Sequence, residues 1–193
     1  MLEVNKSNRD SWDPLMPQFH PDYFDARTAP AFWVKGVNRN GRVVAALSYR
    51  RFDLPPGKTL PDALVDLSLF YDDPAKAGVH ERVQCSVPVP PVAGSFALSG
   101  ALWIHPPSRG LGLHSLMWPI GRSITYDLWD VPLVFALVED VPKMQSVLRF
   151  ENVVGGIKWS NSYVGSHFDL TLVSWTREKI AADVTAFLSK QFS

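Results

Sequence analysis

The chain has 193 residues, 46% hydrophobic and 20% charged, a length and balance that suit one domain with a sizeable core. Nineteen basic residues meet nineteen acidic ones, and a formal net charge of zero argues against nucleic acid or an anionic membrane surface as the main partner. No apolar run reaches the length of a membrane span, the N-terminus lacks the apolar stretch of a signal peptide, and the single cysteine, Cys85, excludes an internal disulfide, so a cytoplasmic location is expected.

Residues 1–31 are polar and punctuated by proline; a short helix is expected near Arg9–Phe19, with Pro14 and Pro17 against it. Phe32–Val37 reads as a strand, Asn40-Gly41 as a type I′ hairpin turn, and Arg42–Phe52 as the returning strand. The next segment, 53–94, opens with Leu54-Pro55-Pro56-Gly57 and closes with a proline-rich run from Val87 to Gly94. Within it Leu60, Leu64 and Leu67 fall on one side of a short helix, and Arg82–Val87 has strand character. We read 53–94 as an insertion or cover within a single domain spanning 1–193.

Ser95–Ile104 is mostly apolar, as in a strand buried on both faces. After the loop that follows it, Leu113, Leu116, Met117, Ile120 and Ile124 share one helix face, with Pro119 predicting a kink. Leu133–Val138 is a second buried strand. Pro142 suits a first helical turn, Met144, Val147 and Leu148 give that helix an apolar side, and Gly155-Gly156 are expected to stop it. Strands are then expected at Ile157–Tyr163 and Phe168–Trp175. Thr176 is a helix N-cap flanked by Trp175 and Ile180 at the positions of a hydrophobic staple, and Ile180, Val184, Phe187 and Leu188 form the buried side of the last helix. Seven tryptophans imply large aromatic core or pocket surfaces; Trp103, Trp118, Trp129 and Phe135 either line a cleft or fill the core.

The loop between strand and helix, Arg109-Gly110-Leu111-Gly112, carries the chemistry. The first amides of a helix have no internal partners and lie at the positive end of its dipole, so such an end takes phosphate. Glycine lets a ligand approach the backbone, and Arg109 adds a forked cationic donor. There is no G-K-[ST], which excludes a Walker loop, and Ser115 stands where a dinucleotide fingerprint needs its third glycine.

From Ser95 to about Ile157 the chain resembles the core of the GNAT superfamily of N-acetyltransferases, whose hallmark is a strand, the loop R/Q-x-x-G-x-G/A and a helix. Here these are S-F-A-L-S-G-A-L-W-I-H-P, then R-G-L-G-L-H from Arg109 to His114, and later the strand P-L-V-F-A-L-V-E-D. The resemblance implies an α/β fold whose mixed, mostly antiparallel sheet is splayed at the acyl-CoA site and flanked by helices. It implies N-acyl transfer from acetyl-CoA or another acyl-CoA to an unidentified amine, without a metal, and allows a homodimer. The strand before the loop would be bulged, its backbone at Leu102, Trp103 and Ile104 pairing with the pantetheine arm. The amides of Arg109, Gly110, Leu111, Gly112, Leu113, His114 and Ser115 would take the pyrophosphate, and the thioester would lie in the splay beside Leu133–Glu139.

Some residues depart from that pattern. His114 replaces the last Gly or Ala of the motif, and the family's first strand is not evident in residues 1–31. Counting back from Gly156, the family's Asn and Tyr on the next helix align with Gln145 and Asn152; Asn152 cannot donate a proton at neutral pH, so Tyr126 and Tyr163 become the candidate general acids. Glu139 is the candidate base, with Asp140 either a second or a helix cap. Tyr49 or Arg51, on the returning hairpin strand, is expected to touch substrate. Arg122 and Arg149 either meet phosphates or are solvated helix charges, and the histidines have no metal-ligand spacing. A non-catalytic module that binds CoA, or serves as a sensor or assembly domain, is the alternative.

Overall fold

A computed structural model describes residues 1–25, 29–78, 80–139, 141–161 and 166–191. The chain opens with a short helix, α1 (Leu2–Lys6), and the helix expected near Arg9–Phe19 does not form. Turns and one 3-10 turn at Pro17–Phe19 take its place, because Pro14 and Pro17 each remove a backbone donor. The hairpin follows as β1 (Ala31–Val37) and β2 (Val43–Asp53), but its turn is not type I′. Five residues separate the paired ends, and of them only Gly41 has a positive φ, 77°. Asn38 organises the turn: its side-chain oxygen accepts from the amides of Asn40 and Arg42, both at 3.0 Å, and its carbonyl from the Gly41 amide.

From β2 the chain leaves the sheet and returns at nearly the same place. The Leu54 amide donates to the Gly94 carbonyl and the Leu60 amide to that of Val92. Between these ties lies α2 (Leu60–Val65), entered where the Asp62 carboxylate accepts from the amide and hydroxyl of Thr59. Leu60, Ala63 and Leu64 bury against the sheet, and β3 (Arg82–Cys85) pairs antiparallel with Ile157–Ser160 at the far edge. Segment 53–94 thus crosses one whole face of the sheet.

The remaining elements are β4 (Ser95–Ile104), α3 (Leu113–Trp129), β5 (Leu133–Val138), α4 (Val141–Leu148), β6 (Asn152–Asn161), β7 (Ser166–Thr176) and α5 (Arg177–Gln191). One seven-stranded sheet runs β1-β2-β4-β5-β7-β6-β3, antiparallel except for β4 beside β5. One face carries α3 and α5 over Leu47, Tyr49, Ala97, Val134, Val173 and Trp175; the other carries the cover segment over Phe96, Leu98, Phe135, Ile157 and Trp159. This is the mixed, mostly antiparallel, helix-flanked α/β fold that the GNAT resemblance implies, and among the described residues no strand precedes β1. No helix among them is long and apolar enough to cross a membrane.

The α3 helix contains Pro119 within its span. Two expectations about the other helices change. The α4 helix ends at Leu148, where Arg149 turns into the left-handed region at φ 49°; Gly155-Gly156 instead form a bulge inside β6, with Gly156 at φ 74°. Asn152 therefore belongs to β6, opposite Ser174, and counting back from Gly156 places no helical residue. In α5 the Thr176 hydroxyl accepts from the Lys179 amide and Ile180 is buried, but Leu188 is 47% exposed, so only the first half of the helix packs on the core.

Candidate functional site

The β4 and β5 strands pair only where Ala97–Ser99 meets Val134–Ala136, and beyond that they diverge. The departure begins at a bulge. Between its pairs with Ala46 and Ser48 of β2, β4 carries one extra residue, and Ala101 stands at φ 52° to absorb it. A bulge bends its strand and deepens the local twist. Past Ser99, the β5-facing edge of β4 has no strand partner among the described residues. Such an edge pairs with amide-bearing extended ligands.

The glycine loop lies at the end of that strand. Arg109 is held back onto it, its Nε donating to the Ile104 carbonyl at 3.2 Å. The Arg109 amide donates to Pro106 O and the Ser115 amide to Gly112 O, so these two amides are engaged within the loop. Those of Gly110, Leu111, Gly112, Leu113 and His114 find no acceptor among the described residues. Gly110 and Gly112 stand at φ 81° and 70°, and a Cβ on either would meet nothing within 4 Å. Glycine is thus needed for the dihedral, while the space in front of the backbone stays open. The result is five free donors at the positive end of a 17-residue helix, with an arginine alongside.

On the other side of the splay is a cavity of about 500 Å³. Leu102, Leu137 and Glu139 contribute to it from the two diverging strands, Trp159 and Phe168 from β6 and β7, and Trp12–Gln18 from the N-terminal segment. That segment is tied down at both ends. Trp12 stacks on Trp103 (centroids 4.9 Å apart, planes 6° from parallel), and the Trp103 indole N–H donates to Ser11. At the other end Arg50, paired with Asp72, donates to the Gln18 carbonyl. Trp159 is held by buried Glu81, whose carboxylate accepts from the Trp159 indole at 3.0 Å and the Tyr71 hydroxyl at 2.8 Å.

Of the residues picked from sequence, Glu139 is at the cavity rim, exposed, and Leu102 is in its wall. Trp103 is 97% buried and faces Trp12, so its side chain supports the wall from behind. His114, half-buried, occupies the first turn of α3. Tyr49 is not a substrate contact: it is fully buried beneath α3, where burial pushes its hydroxyl pKa far up. Arg51 also lies away from the cleft, paired with Asp53 opposite Ala97 and reaching the Trp129 carbonyl at the closed end of the sheet. Tyr126 stacks under Arg177 at that same end, near the last turn of α3, and does not line the cavity. Tyr163 and Asp140 lie outside the described residues. Arg122 is neither a phosphate ligand nor a solvated charge but buried between helices. Trp118, Trp129 and Phe135 are core residues. Sequence reasoning missed Asp13, Gln18, Trp159 and Phe168, for which only the high tryptophan count gave a hint. No group of three or more His, Cys, Asp or Glu suited to a metal occurs among the described residues.

No family model matches the chain, and no curated protein matches it. Among solved structures it is similar to the spermidine N-acetyltransferase of Vibrio cholerae in complex with CoA and spermine, at 8% identity over 78% of this chain and 68% of that one, TM-score 0.45. It is also similar to the polyamine N-acetyltransferase of Drosophila melanogaster, at 15% identity over 75% and 74% of the two chains, TM-score 0.43. A third is the ribosomal-protein-S5-alanine acetyltransferase of Vibrio fischeri, at 12% identity over 77% and 62%, TM-score 0.44.

Proposed function

We propose that the chain is an acyl-CoA-dependent N-acyltransferase acting on an amine. The observation that carries this reading is the row of five unpartnered amides from Gly110 to His114, at the end of the strand that borders the splay. A pyrophosphate supplies the acceptors these donors lack, and Arg109 adds a cation beside them. The free edge of β4 at Gly100–Ile104 suits the amide groups of a pantetheine arm.

An acyl thioester brings an activated carbonyl carbon. The chain's part is to hold it, exclude water and manage one proton. Glu139, at the end of β5, accepts the proton of the incoming ammonium directly or through water. The amine nitrogen then forms its bond to the acyl carbon as the carbon–sulfur bond breaks, and its second proton passes to water, leaving a neutral amide. A thiol of pKa about 8.5 leaves readily as thiolate and takes its proton from solvent, so the lack of a tyrosine in α4 is no bar to turnover. That same lack favours, as a second reading, a module that binds CoA without turning it over.

Calorimetry with acetyl-CoA and CoA tests the proposal, with Arg109→Ala beside the wild type. Saturable binding that the substitution weakens by about tenfold is expected, the effect of losing one charge-assisted contact. No binding at millimolar ligand overturns the assignment. Binding without acyl transfer to any amine in a broad panel favours the second reading.

A further inference from the structure

We infer that two copies of the chain form a two-fold dimer by joining the outer edges of their β1 strands, with their α3 helices packed side by side across the junction. The inference does not depend on the acyl-transfer reading. β1 is the last strand on its side of the sheet, and among the described residues nothing pairs with its outer edge. The Pro30 carbonyl accepts from the Arg51 amide, which makes those two residues a hydrogen-bonded pair. Alternation along the antiparallel ladder then turns the backbone groups of Phe32, Val34 and Gly36 toward β2. It leaves the N–H and C=O of Ala31, Trp33 and Lys35 facing outward. A seven-residue edge with half-buried side chains on both faces is a template for another strand.

The strand complements itself. Two antiparallel copies centred on Val34 set all seven residues opposite one another and bring outward-facing residues together, as a ladder requires. Trp33 then stands across from Lys35 of the second copy, and Phe32 across from Gly36. A two-fold axis through this junction puts both α3 helices on one face of the joined sheet. On that face α3 carries an apolar ridge that nothing among the described residues covers. Leu116, Ile120, Ile124 and Leu128 recur at every fourth position, and Leu116, Ile120 and Leu128 are 41%, 39% and 61% exposed. The other flank of α3 is taken by α5, through Arg122 to Asp183 and Arg177 over Tyr126. Ile120 lies about 160° around the helix from Arg122, so the ridge looks away from α5 and over the β1 edge. Strands are spaced about 4.8 Å apart, so helices seated over β1 and β2 of each copy come about 10–14 Å apart, within reach of paired leucine and isoleucine ridges. Asp127 is the only formal charge on α3 besides buried Arg122, and the antiparallel arrangement carries its two copies to opposite ends of the contact.

Sedimentation equilibrium and disulfide trapping test the dimer. The wild type is expected to reach twice the chain mass in the micromolar range. Ile120→Glu, which sets a charge in the helix contact, is expected to weaken association at least about tenfold. At the centre of the junction Val34 meets its own copy in a pair whose side chains lie close. Val34→Cys is therefore expected to give a disulfide-linked dimer under mild oxidant. Lys35→Cys, set two positions away from its own copy, and the parent chain with Cys85 alone are expected to run as monomers on a denaturing gel. The substituted positions are exposed or half-buried, and circular dichroism checks that each variant is folded. A wild type that stays monomeric in the high-micromolar range overturns the inference and leaves Lys35 as a charge that guards the edge. A dimer that Ile120→Glu does not weaken, or one that cross-links more readily through Lys35→Cys than through Val34→Cys, overturns it as well.

Discussion

Tyr49 packs its ring against the backbone of Gly121 in α3, and its hydroxyl, fully buried, has no hydrogen-bond partner among the described residues. A Cβ on Gly121 would stand 2.2 Å from the ring, so the glycine exists to let helix and tyrosine meet. Gly121→Ala is expected to lower stability by about 1–3 kcal/mol through overpacking. Tyr49→Phe, which removes an unsatisfied polar atom and little volume, should leave stability unchanged or raise it by up to about 1 kcal/mol. Urea unfolding of both variants checks the pair; a clear loss in Tyr49→Phe would mean that the hydroxyl is bonded after all. The expectation that Tyr49 touches substrate failed for a reason visible in β2 itself. Val44 to Arg50 are all buried, so the strand has no polar face against which alternation can be read. The left-handed dihedrals of Gly110 and Gly112 were legible because they are local to the loop.

The junction of α3, α4 and α5 turns on Arg122, which is 4% exposed. One arm of its guanidinium donates to the Leu148 carbonyl at 2.7 Å, the other reaches Asp183 of α5 at 3.4 Å, and the plane lies 4.0 Å over Trp175. The Trp175 indole N–H donates to the same Leu148 carbonyl at 3.1 Å. Two long-range donors thus satisfy the end of α4, the task usually left to a glycine cap. That is why α4 stops at Leu148 and not at the glycine pair: the stop comes from residues 26 and 27 positions away, beyond any local pattern. Arg122→Leu is expected to cost about 1–3 kcal/mol: the Leu148 carbonyl keeps the Trp175 indole and Asp183 keeps Lys179, so what is lost is one charge-assisted hydrogen bond and the stacking on Trp175. Arg122→Lys should recover only part, since one ammonium cannot span both partners and stack on the indole. Thermal or urea denaturation decides it; an Arg122→Lys variant as stable as the wild type would show that charge alone suffices.

Across the whole molecule the sheet is covered on both faces, and the two covers differ in how far sequence could foresee them. The α3 and α5 helices showed their periodicity and caps, and the order of strands from β4 onward followed from apolar runs separated by helices. The opposite cover was opaque, because β3 pairs with a strand about 75 residues later, a registry that only long-range packing sets. The cavity was opaque for the same reason, being assembled from the N-terminal segment, the splay and Trp159, Phe168 and Leu170. Its N-terminal wall should also be the acid-sensitive part of the molecule. His20 is 7% exposed beside Gln18, its Nδ1 accepting from the Asp22 amide at 3.3 Å, an arrangement that favours the neutral ring. Burial pushes its pKa below the usual value, with the nearby Asp22 carboxylate opposing in part. The unfolded chain therefore takes up this proton more readily than the native one. The contribution of His20 to stability is complete above the unfolded value, near 6.5, and is lost as pH falls toward the lowered folded value. The urea midpoint should accordingly drop between pH 7.5 and 5.5, and drop less in His20→Gln, which cannot titrate. Equal pH slopes for the two proteins would mean that His20 is as easily protonated in the fold as outside it, and that the N-terminal wall is held without regard to its charge.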